Sequence, residues 1–272
     1  MIRIELMGAS GVGKTTLYRR LDITSPKHRP YMTLREAYRL AALHCDVSPR
    51  NGRLFLYRML LKSGIVFKKE RGLGHAILKG LAQGSDRRYR YNRFHVSFDL
   101  LYRHLQNSEG PYFTERSIRN FLSCAEEYLL LEKWLPGRAA VLMDEGMLHN
   151  HPGITNYGVD TFSKEQLIKD PVFNPSGIVH CVQAPENVYR QAKKRKQEGV
   201  HTFTHGPLDS GELKELVQRN IANVDQQVAR FREMGVPVLV VNTGDELRGI
   251  ISGINEFVLS LKVRKLRSTG SS

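Results

Sequence analysis

Apolar and polar positions fall into two rhythms along the chain. At the start, Ile2, Ile4 and Leu6 alternate with Arg3 and Glu5, the period of a strand. Three later runs are apolar almost throughout: Ala139-Ala140-Val141-Leu142-Met143, Ile178-Val179-His180-Cys181-Val182 and Pro237-Val238-Leu239-Val240-Val241. Short continuous runs of this kind fit strands covered on both faces, as in a parallel sheet. Helical patterns lie between them, so the expected class is α/β, a parallel sheet with helices on both sides.

The stretch 25–136 breaks this rhythm and reads as mainly helical. Leu54, Leu56, Tyr57, Leu60 and Leu61 form one apolar stripe. A further helix is expected to start near Thr114, to run through Phe121, Ala125, Tyr128, Leu129, Leu131 and Trp134, and to stop at Pro136-Gly137. Ile65-Val66-Phe67, followed by Glu70, is a candidate for a second strand. No internal repeat is present. The expected organisation is a core of residues 1–24 and 137–262, a large helical insertion at 25–136 that supplies the acceptor-binding region, and a flexible basic tail at 263–272.

Composition narrows the class. The chain has 272 residues, 41% hydrophobic and 25% charged, which suits one large domain or a core with an inserted subdomain. No run approaches the roughly 18 apolar residues of a membrane span. The first strand begins directly after Met1, so no signal peptide is expected, and cytoplasm is the expected location. Cys45, Cys124 and Cys181 share no close spacing, which argues for reduced, buried thiols rather than zinc ligands or disulfides. The net charge of +14 implies an anionic partner. It is concentrated in Arg87-Arg88-Tyr89-Arg90-Tyr91-Asn92-Arg93, in Arg190 with Lys193-Lys194-Arg195-Lys196, and near the end in Lys262, Arg264, Lys265 and Arg267.

The most specific chemical signal is Gly8-Ala9-Ser10-Gly11-Val12-Gly13-Lys14-Thr15, a full match to the phosphate-loop pattern G-x-x-x-x-G-K-[ST]. A strand precedes it, and a helix beginning around Thr16 follows. Glycines let the backbone curl so that successive N–H groups converge on phosphate oxygens, and the helix N-terminus adds positive potential. Lys14 is expected to stand exposed in the loop and reach the β- and γ-phosphates, and Thr15 to ligate Mg²⁺. The competing reading is a glycine turn that merely joins strand to helix. The pattern implies ATP or another nucleoside triphosphate, with Mg²⁺, as cofactors.

Asp144 closes the second apolar run. A carboxylate at the C-terminal end of a buried strand beside a phosphate loop suits Mg²⁺, held directly or through water. Glu145 follows and is either a base for the attacking group or, with Asp144, a cap on the next helix.

In these features the chain resembles the P-loop kinases of nucleosides, nucleotides and other small molecules. The resemblance rests on GASGVGKTT, VLMDEG at 141–146, VHCVQAPENVYRQAKKRKQEG at 179–199 and VPVLVVNTGDEL at 236–247. It covers the core and skips most of 25–136. It implies a three-layer P-loop core of kinase type and a basic lid carrying Arg190, Lys194 and Arg195 over the transferred phosphoryl group. It also implies a terminal loop, Asn242-Thr243-Gly244-Asp245, beside the base, with Asn242 and Thr243 as its binding residues. Glu145 stands where nucleoside and thymidylate kinases usually carry Arg, which argues against those acceptors. The bland reading of 190–196 is a solvated helix face or a nucleic-acid contact.

Arg87, Arg88, Arg90 and Arg93, interleaved with Tyr89, Tyr91 and Phe94, suit an anionic acceptor with a ring to stack on, or else a solvated loop. His149 with His151, and His201 with His205, lack further ligands at useful spacing for a metal. The reading that joins these features is an ATP- and Mg²⁺-dependent phosphotransferase acting on an anionic or hydroxyl-bearing small molecule. Nucleic acid is the less favoured partner, and no membrane is implied. A kinase of nucleic-acid ends and a P-loop ATPase that couples hydrolysis to binding are the alternatives.

Overall fold

A computed structural model of the chain describes residues 1–23, 29–45, 51–63, 76–77, 92–107, 111–144, 146–151, 162–198 and 209–269. Five strands, β1 (Ile2–Met7), β2 (Met32–Thr33), β3 (Ala140–Met143), β4 (Gly177–Val182) and β5 (Val238–Asn242), form one sheet in the order β2-β3-β1-β4-β5. Every pairing is parallel. Among the described residues the helices are α1 (Lys14–Ile23), α2 (Leu34–His44), α3 (Gly52–Ser63), α4 (His95–Asn107), α5 (Pro111–Trp134), α6 (Met147–Asn150), α7 (Lys164–Lys169), α8 (Pro185–Gln197) and α9 (Ser210–Glu233) between strands, and α10 (Leu247–Thr269) after the last. The chain leaves β1 toward β2 on one side and leaves β4 toward β5 on the other. In a parallel sheet that divergence opens a crevice above the C-terminal ends of the two central strands.

Apolar residues cover both faces of the sheet. On one, Ile4, Leu6, Leu142, Val179 and Cys181 pack with Leu17 and Leu21 of α1, Val188 and Ala192 of α8, and Ile254 and Val258 of α10. On the other, Met7 and Ile178 meet Phe94, Phe121, Phe173 and Phe231. Each fully buried aliphatic or aromatic side chain contributes roughly 1.5–3 kcal/mol, so the sheet is pinned by its central strands.

The structure revises the sequence reading at several points. Arg3 and Glu5 alternate with apolar residues, a pattern that favours a strand wet on one face. Yet all six residues of β1 are buried, because the two charges face each other inside the protein. The second strand is β2, inside the stretch expected to be an insertion. It pairs with β3 at Met32↔Val141 and Thr33↔Leu142, so part of 25–136 belongs to the sheet. Two residues are too short for a periodic signal, and Thr33 also ends the strand as the N-cap of α2, where Glu36 Oε2 accepts its N–H at 2.8 Å. Ile65-Val66-Phe67 and Glu70 lie outside the described residues. The expected stripe on α3 is split, with Leu54 buried and Leu56 exposed. Residues 263–269 are not a loose tail but the last turns of α10, tied back by Lys265 Nζ donating to Met1 O at 2.9 Å. Cys45 and Cys181 are buried thiols and Cys124 is half-buried. Among the described residues no helix is long and apolar enough to cross a membrane.

Candidate functional site at the glycine loop

The loop between β1 and α1 has the backbone its glycines predict. Gly11 and Gly13 have φ of +92° and +100°, a region that favours glycine. Gly8 is needed for another reason: a Cβ there would sit 2.5 Å from the carbonyl oxygen of Cys181, an immovable backbone atom of β4. The loop therefore lies directly on β4. Helix α1 starts at Lys14, and Leu17 N–H bonds to Gly13 O at 2.9 Å.

Lys14 departs from expectation. It is buried, with its ammonium folded back across the loop, donating to Gly8 O at 2.5 Å and Ala9 O at 3.1 Å. The physical cause is that a desolvated ammonium needs acceptors, and the loop turns two carbonyls toward it. Thr15 is half-buried in the first turn of α1, and Thr16 is exposed.

β3 lies directly beside β1, with Glu5 opposite Met143, so Asp144 emerges at the same sheet edge as the glycine loop. The thiol of Cys181 reports both groups. Burial pushes it up to about 12, with the Lys14 charge opposing and the Asp144 charge adding to the shift. One buried sulfur thus lies within electrostatic range of the ammonium and the carboxylate. Thr15 hydroxyl and Asp144 carboxylate supply hard oxygen donors, the chemistry that suits Mg²⁺. Glu145 lies outside the described residues.

A cleft of about 190 Å³ opens beside the loop. Its walls bring together Gly11, Val12, Gly13 and Thr16 of the loop, Arg195 of α8, and Thr243 and Asp245 after β5. Thr243 is the joint: its hydroxyl donates to Val12 O at 2.5 Å, and its N–H to Val182 O at 3.0 Å. Of the three expected lid residues, Arg195 lines the cleft, whereas Arg190 and Lys194 are exposed and do not. Lys194 Nζ lies 3.8 Å from Glu198 Oε1. Asn242 uses its side-chain oxygen locally, accepting from Gly244 N–H at 3.0 Å.

Sequence reasoning missed Arg20, Gln183 and Gln191, all on the cleft wall. Gln191 was the most accessible of these, one helical turn before Arg195 and therefore on the same stripe of α8. Of the Arg-Tyr cluster, Arg93 is described and forms an ion pair with Glu132 of α5 at 2.5 Å. Arg87, Arg88 and Arg90 lie outside the described residues. His151 is buried, its Nε2 2.9 Å from Ser97 O. His201 and His205, and the side chain of His149, fall outside the description. Among the described residues no cluster of His, Cys, Asp or Glu could hold a metal by itself. The chain matches no known family model and no curated protein.

Proposed function

We propose that the protein is an NTP-dependent, Mg²⁺-requiring phosphotransferase acting on a small molecule. The observation that carries this reading is that the Gly8-to-Thr15 loop shares a cleft with Arg195 and Thr243, while β3 delivers Asp144 to the same edge of the sheet. A loop of inward N–H groups at a helix N-terminus binds phosphate oxygens. Lys14 is the one ammonium inside the loop, and its two carbonyl contacts are ones it would exchange for β- and γ-phosphate oxygens. Thr15 and Asp144 would hold Mg²⁺, which when bound neutralises phosphate charge. Arg195 faces the cleft, where a guanidinium can stabilise the charge spread over a transferring phosphoryl group. Gln183, Thr243 and Asp245 line the cleft from β4 and from the segment after β5 and would serve a base and ribose.

The acceptor is expected to be anionic or hydroxyl-bearing. A screen of nucleosides, nucleotides, sugars, carboxylates and oligonucleotide ends, read as nucleoside diphosphate release, tests the proposal. Release that rises with one small-molecule acceptor supports it. Release stimulated only by oligonucleotides favours the polynucleotide-end reading, and release indifferent to every acceptor favours the ATPase.

A further inference from the structure

We infer that Glu5 is a positioning residue that holds the segment from Gly146 to Leu148, just past Asp144, in register with the glycine loop. This rests on the reading that Asp144 serves a metal-bound nucleotide. Glu5 lies on β1, three residues ahead of Gly8, and is only 1% exposed. A buried carboxylate is unfavourable unless its oxygens are held. Here they are held by two different parts of the chain.

On one side, Arg3 Nε lies 3.2 Å from Glu5 Oε1. Arg3 is itself fixed by Val172 O at 2.9 Å and by the Tyr128 ring, whose centroid is 5.1 Å from its guanidinium carbon. On the other side, Glu5 Oε2 accepts the N–H of Leu148 at 3.0 Å. Burial pushes the Glu5 carboxyl above its ordinary value, and the Arg3 charge and the N–H groups of Leu148 and Met147 oppose that shift. Between them the turn closes so tightly on Glu5 that a Cβ on Gly146 would sit 2.3 Å from Oε2.

The backbone ladder between β1 and β3 runs as far as Glu5↔Met143. Past that pair, the Glu5 side chain carries the tie onward to the segment just beyond Asp144. The strand that becomes the glycine loop thus also grips the segment that follows the acid. An apolar residue at position 5 could fill the space, but it could not orient two N–H groups.

The test is a double-mutant cycle on Mg²⁺ dependence. ATP binding, with GTP run in parallel, is measured by calorimetry over a MgCl₂ titration and again in EDTA. The proteins are wild type, Glu5→Gln, Asp144→Asn and the double variant. Glu5→Gln keeps the size but places an amide N–H₂ against one of two donors. The expected result is a rise of about tenfold in the Mg²⁺ needed for half-saturation. Affinity in EDTA should stay within about twofold of wild type, and the double variant within about twofold of Asp144→Asn alone.

A purely structural role would weaken binding equally with and without metal, or multiply the two single effects, and either result overturns the inference. If Glu5→Gln fails to fold, Gly146→Ala is the second variant, since it removes no charge and its Cβ forces the Glu5 carboxyl and the backbone at 146 apart. The same Mg²⁺ shift is expected, and its absence overturns the inference. Wild-type protein that binds no nucleotide sinks the nucleotide reading itself, and this inference with it.

Discussion

The hydroxyl of Thr243 donates to the backbone carbonyl of Val12 at 2.5 Å, joining the segment after β5 to the glycine loop across the cleft. The same side chain stands 3.3 Å from where a Cβ on Gly13 would be. Thr243→Val should remove the bond and nearly preserve the shape. A lost hydrogen bond of this kind is worth about 1 kcal/mol. Nucleotide affinity should fall about fivefold, the fold-change equivalent of that energy. Thr243→Ser should restore both. Calorimetry and thermal melts on the three proteins check this, and equal affinity in all of them would separate Thr243 from the site.

Gly8→Ala should be severe, because the obstacle is the Cys181 carbonyl of β4. We expect a loss of stability of about 2 kcal/mol or more and no nucleotide binding. Gly235→Ala is the control. Gly235 has φ of +89° and open space around it, so backbone strain alone applies, about 1 kcal/mol, and binding is spared. Denaturant titrations of the two variants give the comparison.

Cys181 makes stability fall in alkali. Its folded value is about 12 against an ordinary 9.0, with burial the main cause. A group raised on folding adds stability that is full below its unfolded value and is lost as pH rises toward the folded one. Between about pH 9 and 12, this one thiol should contribute a decline of up to about 1.4 kcal/mol per pH unit. Urea melts at pH 8 and pH 10.5 on wild type and Cys181→Ala should show a shallower decline in the variant.

On α8, the cleft separates the basic residues by role. Arg195→Ala should lower turnover by a factor on the order of 10², with less effect on nucleotide affinity. Arg190→Ala should leave turnover within about twofold, since surface changes away from a site are usually near neutral. Steady-state kinetics beside equilibrium binding would show it. Equal losses from both would return 190–196 to a general electrostatic role.

Legibility in the sequence followed the physics of each element. β1 announced itself by alternation, β3, β4 and β5 as apolar runs bounded by turn residues, and the glycine loop as a complete motif. β2 was invisible because Met32 and Thr33 are too few to show a period. The pairing of Arg3 with Glu5 left no mark on the pattern, because it is three-dimensional. Lys14 read as exposed for the same reason, since its acceptors at Gly8 and Ala9 exist only once the loop has curled. Gln183 carries no spacing signal, as it joins the cleft only where β4 and β5 end side by side. Residues 263–269 looked like a tail because basic residues interrupt the apolar pattern, while Leu261 still anchors that part of α10 in the core.

The most direct measurement is acceptor-dependent release of nucleoside diphosphate by wild type and by Lys14→Ala, with folding of the variant checked by its melting curve. Lys14 bonds two loop carbonyls, so a small drop in melting temperature is expected alongside the functional loss. The account predicts release that requires Mg²⁺ and an acceptor and falls by a factor on the order of 10² or more in the variant. Wild-type and variant release at the same rate, or release that no acceptor stimulates, would contradict it.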